Sequence, residues 1–221
     1  MDLKRRICAA GIVLIACVCI IMTGIQKRER YDSASKAMVY LINGNQGGNG
    51  SIFRITEEEL VIVTTYHLVK ESEIIEVCFP NQLTVVGNVI LVNQEHDVGF
   101  IAVDLSQISM ETRNEISCIF YDDKTYKSLK AEDSMEYRYL EWNDGLFLAI
   151  TRPGSIGHMN WYVPELADYL IYNYCDVEPG MSGCAAVAED GSYIGMMIGG
   201  SQNESGALSI QVIEKIYADI E

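Results

Sequence analysis

Residues 178–185 of this 221-residue chain read EPGMSGCA. Ser182 stands between Gly180 and Gly183, and the apolar residues that follow predict a short strand. Glycines on both sides of a serine supply the backbone freedom that a tight turn requires. A serine in such a turn is by itself a weak signal, because polar residues are common in turns.

Two more polar residues stand at the ends of predicted strands. His67 follows an apolar run in residues 63–69 (VTTYHLV), and Asp97 precedes another in residues 95–103 (EHDVGFIAV). Each of them, taken alone, is more often a structural residue than a catalytic one. Together with Ser182 they supply a base, an acid that orients it and a nucleophile, in the order His, Asp, Ser.

The chain from residue 36 onward consists of short apolar runs separated by turn residues, which is typical of a β-barrel or a β-sandwich. Residues 104–144 are charged and predict a connector between two β clusters. Helical spacing of apolar residues predicts a closing helix over residues 211–221. The predicted strands cover residues 37–42, 51–55, 60–64, 74–79, 84–92, 98–103, 146–151, 169–175, 185–188, 193–198 and 207–210.

Neither a cofactor nor a metal is predicted. Residues 44–50 (GNQGGNG) predict a flexible loop, and the absence of a following Lys-Ser/Thr pair and helix excludes a phosphate-binding loop. Four cysteines lie beyond residue 30, and their spacing contains no C-x-x-C pair. The spacing therefore supports neither a zinc site nor a disulfide framework.

The N-terminal region predicts a membrane anchor over residues 1–30. Residues 7–25 (ICAAGIVLIACVCIIMTGI) carry no charge, and a helix of that length spans roughly 28 Å, close to a bilayer core of about 30 Å. Basic residues flank the run equally, so charge alone leaves the orientation open. One alternative is a lipoprotein anchored at Cys17, because residues 14–17 (LIAC) resemble a bacterial lipobox.

The charge of the chain narrows the possible partners. The formal net charge is −15, and residues 31–221 contain 10 basic and 29 acidic side chains. Such a surface repels phosphate backbones, so nucleic acid is excluded as a partner and cationic peptides are favoured. Acidity also keeps a domain soluble, and this simpler explanation stays open.

The three motifs resemble those of the trypsin-like serine proteases, and most closely the HtrA/DegP-like branch, here without a PDZ domain. The matching patterns are T-x-x-H, H-D before an apolar strand, and P-G-x-S-G. The similarity covers residues 36–220 and includes residues 50–53 (GSIF) and 194–200 (IGMMIGG). It implies an all-β fold of two antiparallel six-stranded barrels, at about 36–105 and 115–210, with a short C-terminal helix at about 211–221. The protease domain would then occupy residues 31–221, after the transmembrane anchor.

The resemblance also implies a site and an activity. It implies a serine endopeptidase that acts on protein or peptide substrates through an acyl-enzyme and, joined to the predicted membrane anchor, an extracytoplasmic domain. The backbone N–H groups of Gly180 and Ser182 would form the oxyanion hole. The substrate-binding residues that it implies are Asp176, Ile198, Gly199, Gly200 and Gly206. A carboxylate at Asp176 would select Arg or Lys before the scissile bond, the alternative being a solvated loop acid.

Two residues depart from the pattern of the family. Met181 replaces the usual Asn or Asp before the serine, and Cys184 replaces a glycine after it. Met181 cannot pair with a newly freed amino terminus, so activation by N-terminal cleavage is disfavoured. The same changes support an alternative function, a catalytically silent peptide-binding or sensor module. A cysteine peptidase using Cys184 is excluded, because Ser182 holds the position of the nucleophile.

Overall fold

The computed structural model describes residues 33–164 and 167–219, together with residues 15, 18, 21, 22, 24, 25 and 28–30. The anchor predicted over residues 7–25 therefore lies largely outside the described residues. Within the part of the chain that is described, no helix is long and apolar enough to cross a membrane.

The first half of the chain forms a closed antiparallel barrel with the strand order β1-β2-β3-β6-β5-β4. Its core consists of aliphatic side chains such as Leu41, Ile62 and Ile101, which are fully buried. A single helical turn, α1 (Tyr66–Val69), follows β3. The strands are β1 (Met38–Asn43), β2 (Gln46–Ile55), β3 (Glu59–Thr64), β4 (Ile74–Cys78), β5 (Thr84–Asn93) and β6 (Val98–Asp104).

The second half forms another closed antiparallel barrel, with the order β10-β11-β12-β9-β8-β7. Its interior is filled by Tyr137, Ile171 and Ile194, among others, all of which are fully buried. The strands are β7 (Ser134–Asn143), β8 (Leu146–Val163), β9 (Asp168–Tyr174), β10 (Ala185–Ala188), β11 (Tyr193–Ser201) and β12 (Glu204–Ser209).

Helices connect and close the two barrels. A 3-10 turn (Leu105–Gln107) and the helices α2 (Met110–Glu115) and α3 (Asp123–Ser128) lie between them. The closing helix α4 (Ile210–Ala218) follows β12, and Ser209 caps it by accepting a hydrogen bond from the N–H of Val212. Tyr217 of α4 contacts Phe53 and Phe100 of the first barrel, each at a ring-centroid distance of 5.1 Å. The C-terminal helix thus fastens one barrel to the other.

The predicted architecture of two six-stranded barrels and a C-terminal helix is confirmed, but two local predictions are wrong. Residues 44–50 are not a flexible loop, because only the turn at Gly44 precedes β2, which begins at Gln46. The connector predicted over residues 104–144 contains a complete strand, β7. Its charged appearance is misleading, because Arg138 is 1% exposed and forms an ion pair with Glu136.

Candidate active site

His67 and Asp97 meet at the open end of the first barrel. His67 lies in α1, directly after β3, and Asp97 lies in the turn before β6. The Oδ2 atom of Asp97 is 2.7 Å from His67 Nδ1, and its Oδ1 accepts the backbone N–H of His67 at 2.9 Å. The backbone carbonyl of Asp97 accepts the N–H of Tyr66 at 3.1 Å. One carboxylate oxygen therefore holds the ring and the other holds the backbone of His67, and Nε2 is left as the nitrogen that accepts a proton.

Ser182 lies in a pair of consecutive tight turns. The N–H of Met181 donates to the carbonyl of Glu178 at 3.2 Å. Pro179 and Gly180 occupy the two central positions, and the φ of Gly180 is +95°, as a type II turn requires. The next turn is closed by the N–H of Cys184 and the carbonyl of Met181 at 2.9 Å. Local turn chemistry therefore places Ser182, which is half-buried, at the corner between the two turns.

Gly183 allows this corner to approach the first barrel. Its φ is +84°, and a Cβ atom at this position would lie 1.9 Å from the carbonyl oxygen of Asn49. No other residue fits there without displacing the backbone of β2. The N–H of Gly183 donates to the carbonyl of Met197 at 2.8 Å, which joins the turn to β11.

Asn49 of β2 connects the serine turn to both barrels, a role that the sequence did not reveal. Its backbone N–H donates to the carbonyl of Ser182 at 2.8 Å. Its side-chain nitrogen donates to the carbonyls of Gly180 at 2.8 Å and Leu140 at 3.1 Å. Its side-chain oxygen accepts the N–H of Leu140 at 2.7 Å. Asn49 is 1% exposed, and its amide is fully used in holding the turn against β7.

The backbone groups expected to bind an oxyanion have no competing partners. Within residues 33–164 and 167–219, neither the N–H of Gly180 nor that of Ser182 donates a hydrogen bond. A Cβ atom at Gly180 would meet nothing within 4 Å, so the space beside the turn is open. These two N–H groups can therefore donate to a bound ligand.

Ser182 and His67 are not hydrogen-bonded to each other in the described part of the chain. Among the described residues, no hydrogen bond joins Ser182 Oγ to His67 Nε2, and Thr65 Oγ1 lies 3.5 Å from that ring nitrogen. Catalytic hydrogen bonds are often long before substrate binds. The His67 side chain is 44% exposed, so a substrate has direct access to it.

The two residues that depart from the family pattern both point into the second barrel. Met181 is 1% exposed, and its sulfur accepts the N–H of Glu178 at 3.3 Å. Cys184 is fully buried, and burial raises the pKa of its thiol well above the ordinary value. Cys184 has no left-handed backbone, so a side chain there causes no strain. Burial of Cys184 also prevents it from acting as a thiolate nucleophile.

The predicted substrate-binding residues surround one end of β11. Strand β10 pairs with Tyr193–Met196 only, so among the described residues β11 has an unpaired edge beyond Met197, along Ile198, Gly199 and Gly200. Gly200 pairs with β12 on the other side, as does Gly199, whose partner is Gly206.

Asp176 lies next to this edge. It is exposed, and its Oδ1 accepts the N–H of Asn203 at 3.0 Å, in the turn between β11 and β12. The carboxylate of Asp176 therefore has a structural partner as well as contact with solvent.

Solved structures of proteases share this architecture. No family profile and no curated protein sequence matches the chain. An inactive form of a serine-to-alanine mutant of Rv3671c from M. tuberculosis H37Rv is 14% identical and covers 86% of this chain and 89% of its own, with a TM-score of 0.68. A serine-to-alanine variant of the HtrA-type protease AlgW, bound to a tripeptide, is 16% identical with a TM-score of 0.71. The AlgW match covers 88% of this chain but only 63% of the AlgW chain. The chain therefore has the chymotrypsin-like fold of trypsin-like serine proteases, with HtrA-type proteases as its structural neighbours.

Proposed function

We propose that this chain is a serine endopeptidase that uses His67, Asp97 and Ser182 as its catalytic triad. The observation that carries the proposal is the His67–Asp97 pair, in which both carboxylate oxygens hold the histidine. It is supported by the serine turn, which Asn49 fastens to the same barrel. His67 and Asp97 belong to the first barrel and Ser182 to the second, and the bond from the Asn49 N–H to the Ser182 carbonyl supports their meeting in one cleft.

The proposed reaction begins with attack of Ser182 Oγ on the carbonyl carbon of the scissile bond. His67 Nε2 accepts the hydroxyl proton, and Asp97 stabilises the imidazolium that forms. His67 then gives the proton to the leaving amine, which departs and leaves an acyl ester on Ser182. A water molecule attacks the ester after transferring a proton to His67, and this proton returns to Ser182 Oγ as the acid product leaves.

The unpartnered N–H groups of Gly180 and Ser182 would stabilise the oxyanion of each tetrahedral intermediate. Because they are fixed by two tight turns, they need little reorganisation when charge develops. Loss of one such donor typically costs about 10²–10³ in kcat.

The proposed substrate is a peptide that pairs as a strand with the free edge Ile198–Ser201. Extended peptides find main-chain partners there, and the structural neighbour AlgW was solved with a tripeptide and with a decapeptide. The acidic surface and Asp176 favour Arg or Lys before the scissile bond. The domain would be held at the extracytoplasmic face of a cell membrane by residues 7–25, or by a lipid on Cys17.

A silent peptide-binding module is the second candidate. It is favoured by one observation, the absence of a hydrogen bond between Ser182 Oγ and His67 in the described part of the chain. In this function the same cleft would bind peptides without activating the serine.

Labelling with a fluorophosphonate probe separates the two functions. We expect the full-length protein in detergent to be labelled at Ser182, and the variants Ser182→Ala and His67→Ala to remain unlabelled. Peptide hydrolysis should fall by about 10⁴–10⁶-fold in either variant. Ser128→Ala, which changes an exposed serine of α3, is the matched control and should behave as wild type. A folded wild-type protein that takes up no probe would leave only the binding module.

A further inference from the structure

A cavity of about 770 Å³ lies on the second barrel, beside the free edge of β11. Residues of β8, β9, β11 and β12 line it, including Gly199 and Gly200 of that edge. Met197 of β11 bonds to Gly183, next to the serine, so the strand leads from the reaction centre toward the cavity. A peptide paired with this edge would carry its more distant residues past the cavity opening.

Aromatic rings form one wall of the cavity. Trp161 of β8 lies between His158 and Tyr172, with ring-centroid distances of 5.4 Å and 6.3 Å. Tyr174 extends the row at 5.4 Å from Tyr172. Trp161 and Tyr174 are 52% and 53% exposed. Large aromatic surfaces left in contact with water are typical of binding sites.

Glycines give the cavity its depth. A Cβ atom at Gly157 would lie 2.7 Å from the ring of Tyr172, so only glycine lets this ring lie close to β8. On the opposite wall, Gly199 and Gly200 have no side chains to fill the space. A cavity of this size accommodates a long side chain.

A single carboxylate faces the aromatic wall. Glu204 of β12 lines the cavity together with Tyr172. Desolvation and, after it, the nearby Glu204 carboxylate raise the pKa of Tyr172 to about 12. Among the described residues that line the cavity, none is Lys or Arg.

We propose that the cavity is a subsite for a Lys or Arg side chain of the peptide, two to four residues from the scissile bond. Aromatic faces attract cations, and the Glu204 carboxylate adds a full negative charge. An apolar side chain would gain contact with the rings but leave Glu204 without a cationic partner. The subsite is distinct from Asp176, which is absent from its described lining. It rests on the proposed function, since it assumes that a peptide occupies the β11 edge.

The chain contains a matched pair of tryptophans for the test. Its two tryptophans are Trp142 and Trp161, and they are 54% and 52% exposed. Trp142 lies on β7 and does not line the cavity. The variant Trp142→Phe therefore leaves Trp161 as the only tryptophan, and excitation at wavelengths that tyrosine does not absorb makes it the reporter.

The binding experiment uses the full-length protein in detergent with Ser182→Ala and Trp142→Phe, so that peptides are not consumed. Alanine decapeptides with one Lys are titrated, the Lys being moved position by position, against peptides with norleucine or Glu in the same place. We expect Lys at one position to bind about five- to thirty-fold more tightly than norleucine and to change Trp161 fluorescence. Calorimetric titration of the Ser182→Ala protein, which needs no tryptophan, should show that Trp161→Ala and Glu204→Gln each abolish this preference, whereas Trp142→Ala keeps it.

Several results would overturn the subsite. They are equal or tighter binding of norleucine peptides, a Lys preference that survives in Trp161→Ala, or no binding of any peptide. Fluorophosphonate labelling of the wild type is measured in parallel. Labelling without a Lys preference refutes the subsite alone, and a Lys preference without labelling refutes the peptidase alone.

Discussion

Replacing Asn49 by alanine tests how the serine turn is held in place. The change removes three side-chain hydrogen bonds, two donated to Gly180 and Leu140 and one accepted from Leu140. The backbone bond from Asn49 to Ser182 remains. The turn would thus lose its side-chain support but keep one main-chain contact with β2.

The expected loss of stability follows from burial. Leu140 is fully buried, so its N–H and C=O would be left without partners, at about 1–3 kcal/mol each. The carbonyl of Gly180 is only partly buried and can bind water instead. We therefore expect the free energy of unfolding to fall by about 2–6 kcal/mol, measured by urea denaturation.

A positioning role predicts more than a loss of stability. If Asn49 keeps the Gly180 N–H in place for the oxyanion, kcat per active site should fall by about 10–10³-fold while KM changes little. The assay is hydrolysis of a peptide ester below the melting temperature, with active sites counted by a fluorophosphonate burst. Binding of a peptide boronic acid, which mimics the tetrahedral intermediate, should weaken in parallel with kcat.

Two controls separate positioning from stability. Val77→Ala creates a cavity in the first barrel, away from the serine turn, and should lower stability without changing kcat per active site. Asn49→Asp keeps an acceptor for Leu140 but has no donor for Gly180, so it should lose kcat as the alanine variant does. An Asn49→Ala protein with wild-type kcat per active site would refute the reasoning.

Two other predictions concern the same turn. Gly183→Ala should abolish fluorophosphonate labelling and lower stability by at least about 1–2 kcal/mol, because the new Cβ would lie 1.9 Å from the Asn49 carbonyl at a φ of +84°; thermal unfolding and labelling of the purified variant check this, and normal labelling would contradict it. Asp176→Ala should reduce cleavage after Arg and Lys about tenfold or more in a mixed peptide library; an unchanged preference for small aliphatic residues in both proteins would remove Asp176 from the pocket.

The strands were predictable because their signal is local. Apolar runs bounded by turn residues placed eleven of the twelve strands, and the missing one is β7. Its buried positions include Arg138, whose charge is balanced by Glu136 and which also bonds to Ser35. Ser35 is distant in sequence, so no local pattern indicates that Arg138 is buried.

The glycines of residues 44–50 mislead for a different reason. In a sequence they predict flexibility, whereas in β2 they allow close approach of neighbouring side chains. A Cβ atom at Gly47 would lie 2.0 Å from the hydroxyl of Tyr40, and one at Gly50 would lie 2.8 Å from Ile62. Sequence does not distinguish these two uses of glycine, because the neighbours come from other strands.

The candidate site also combines local features, which the sequence predicts, with long-range contacts, which it does not. The turns around Ser182 follow from Pro179, Gly180 and Gly183, which act on their immediate neighbours. The hydrogen bonds of the Asn49 side chain, in contrast, reach Leu140, which is more than ninety positions away along the chain. This contact follows from the packing of the two barrels, which no local sequence pattern indicates.

The glycine pattern also explains why the departures at Met181 and Cys184 are tolerated. Within this turn, left-handed backbone conformations occur at Gly180 and Gly183 and not at Met181 or Cys184. Met181 and Cys184 turn their side chains into the core of the second barrel, where an apolar group is favourable. The backbone N–H groups of the turn are thus unaffected by either replacement. Activity of the serine then depends on formation of the hydrogen bond between Ser182 Oγ and His67 Nε2, which belong to different barrels. It does not depend on Met181 or Cys184, the two residues that differ from the family pattern.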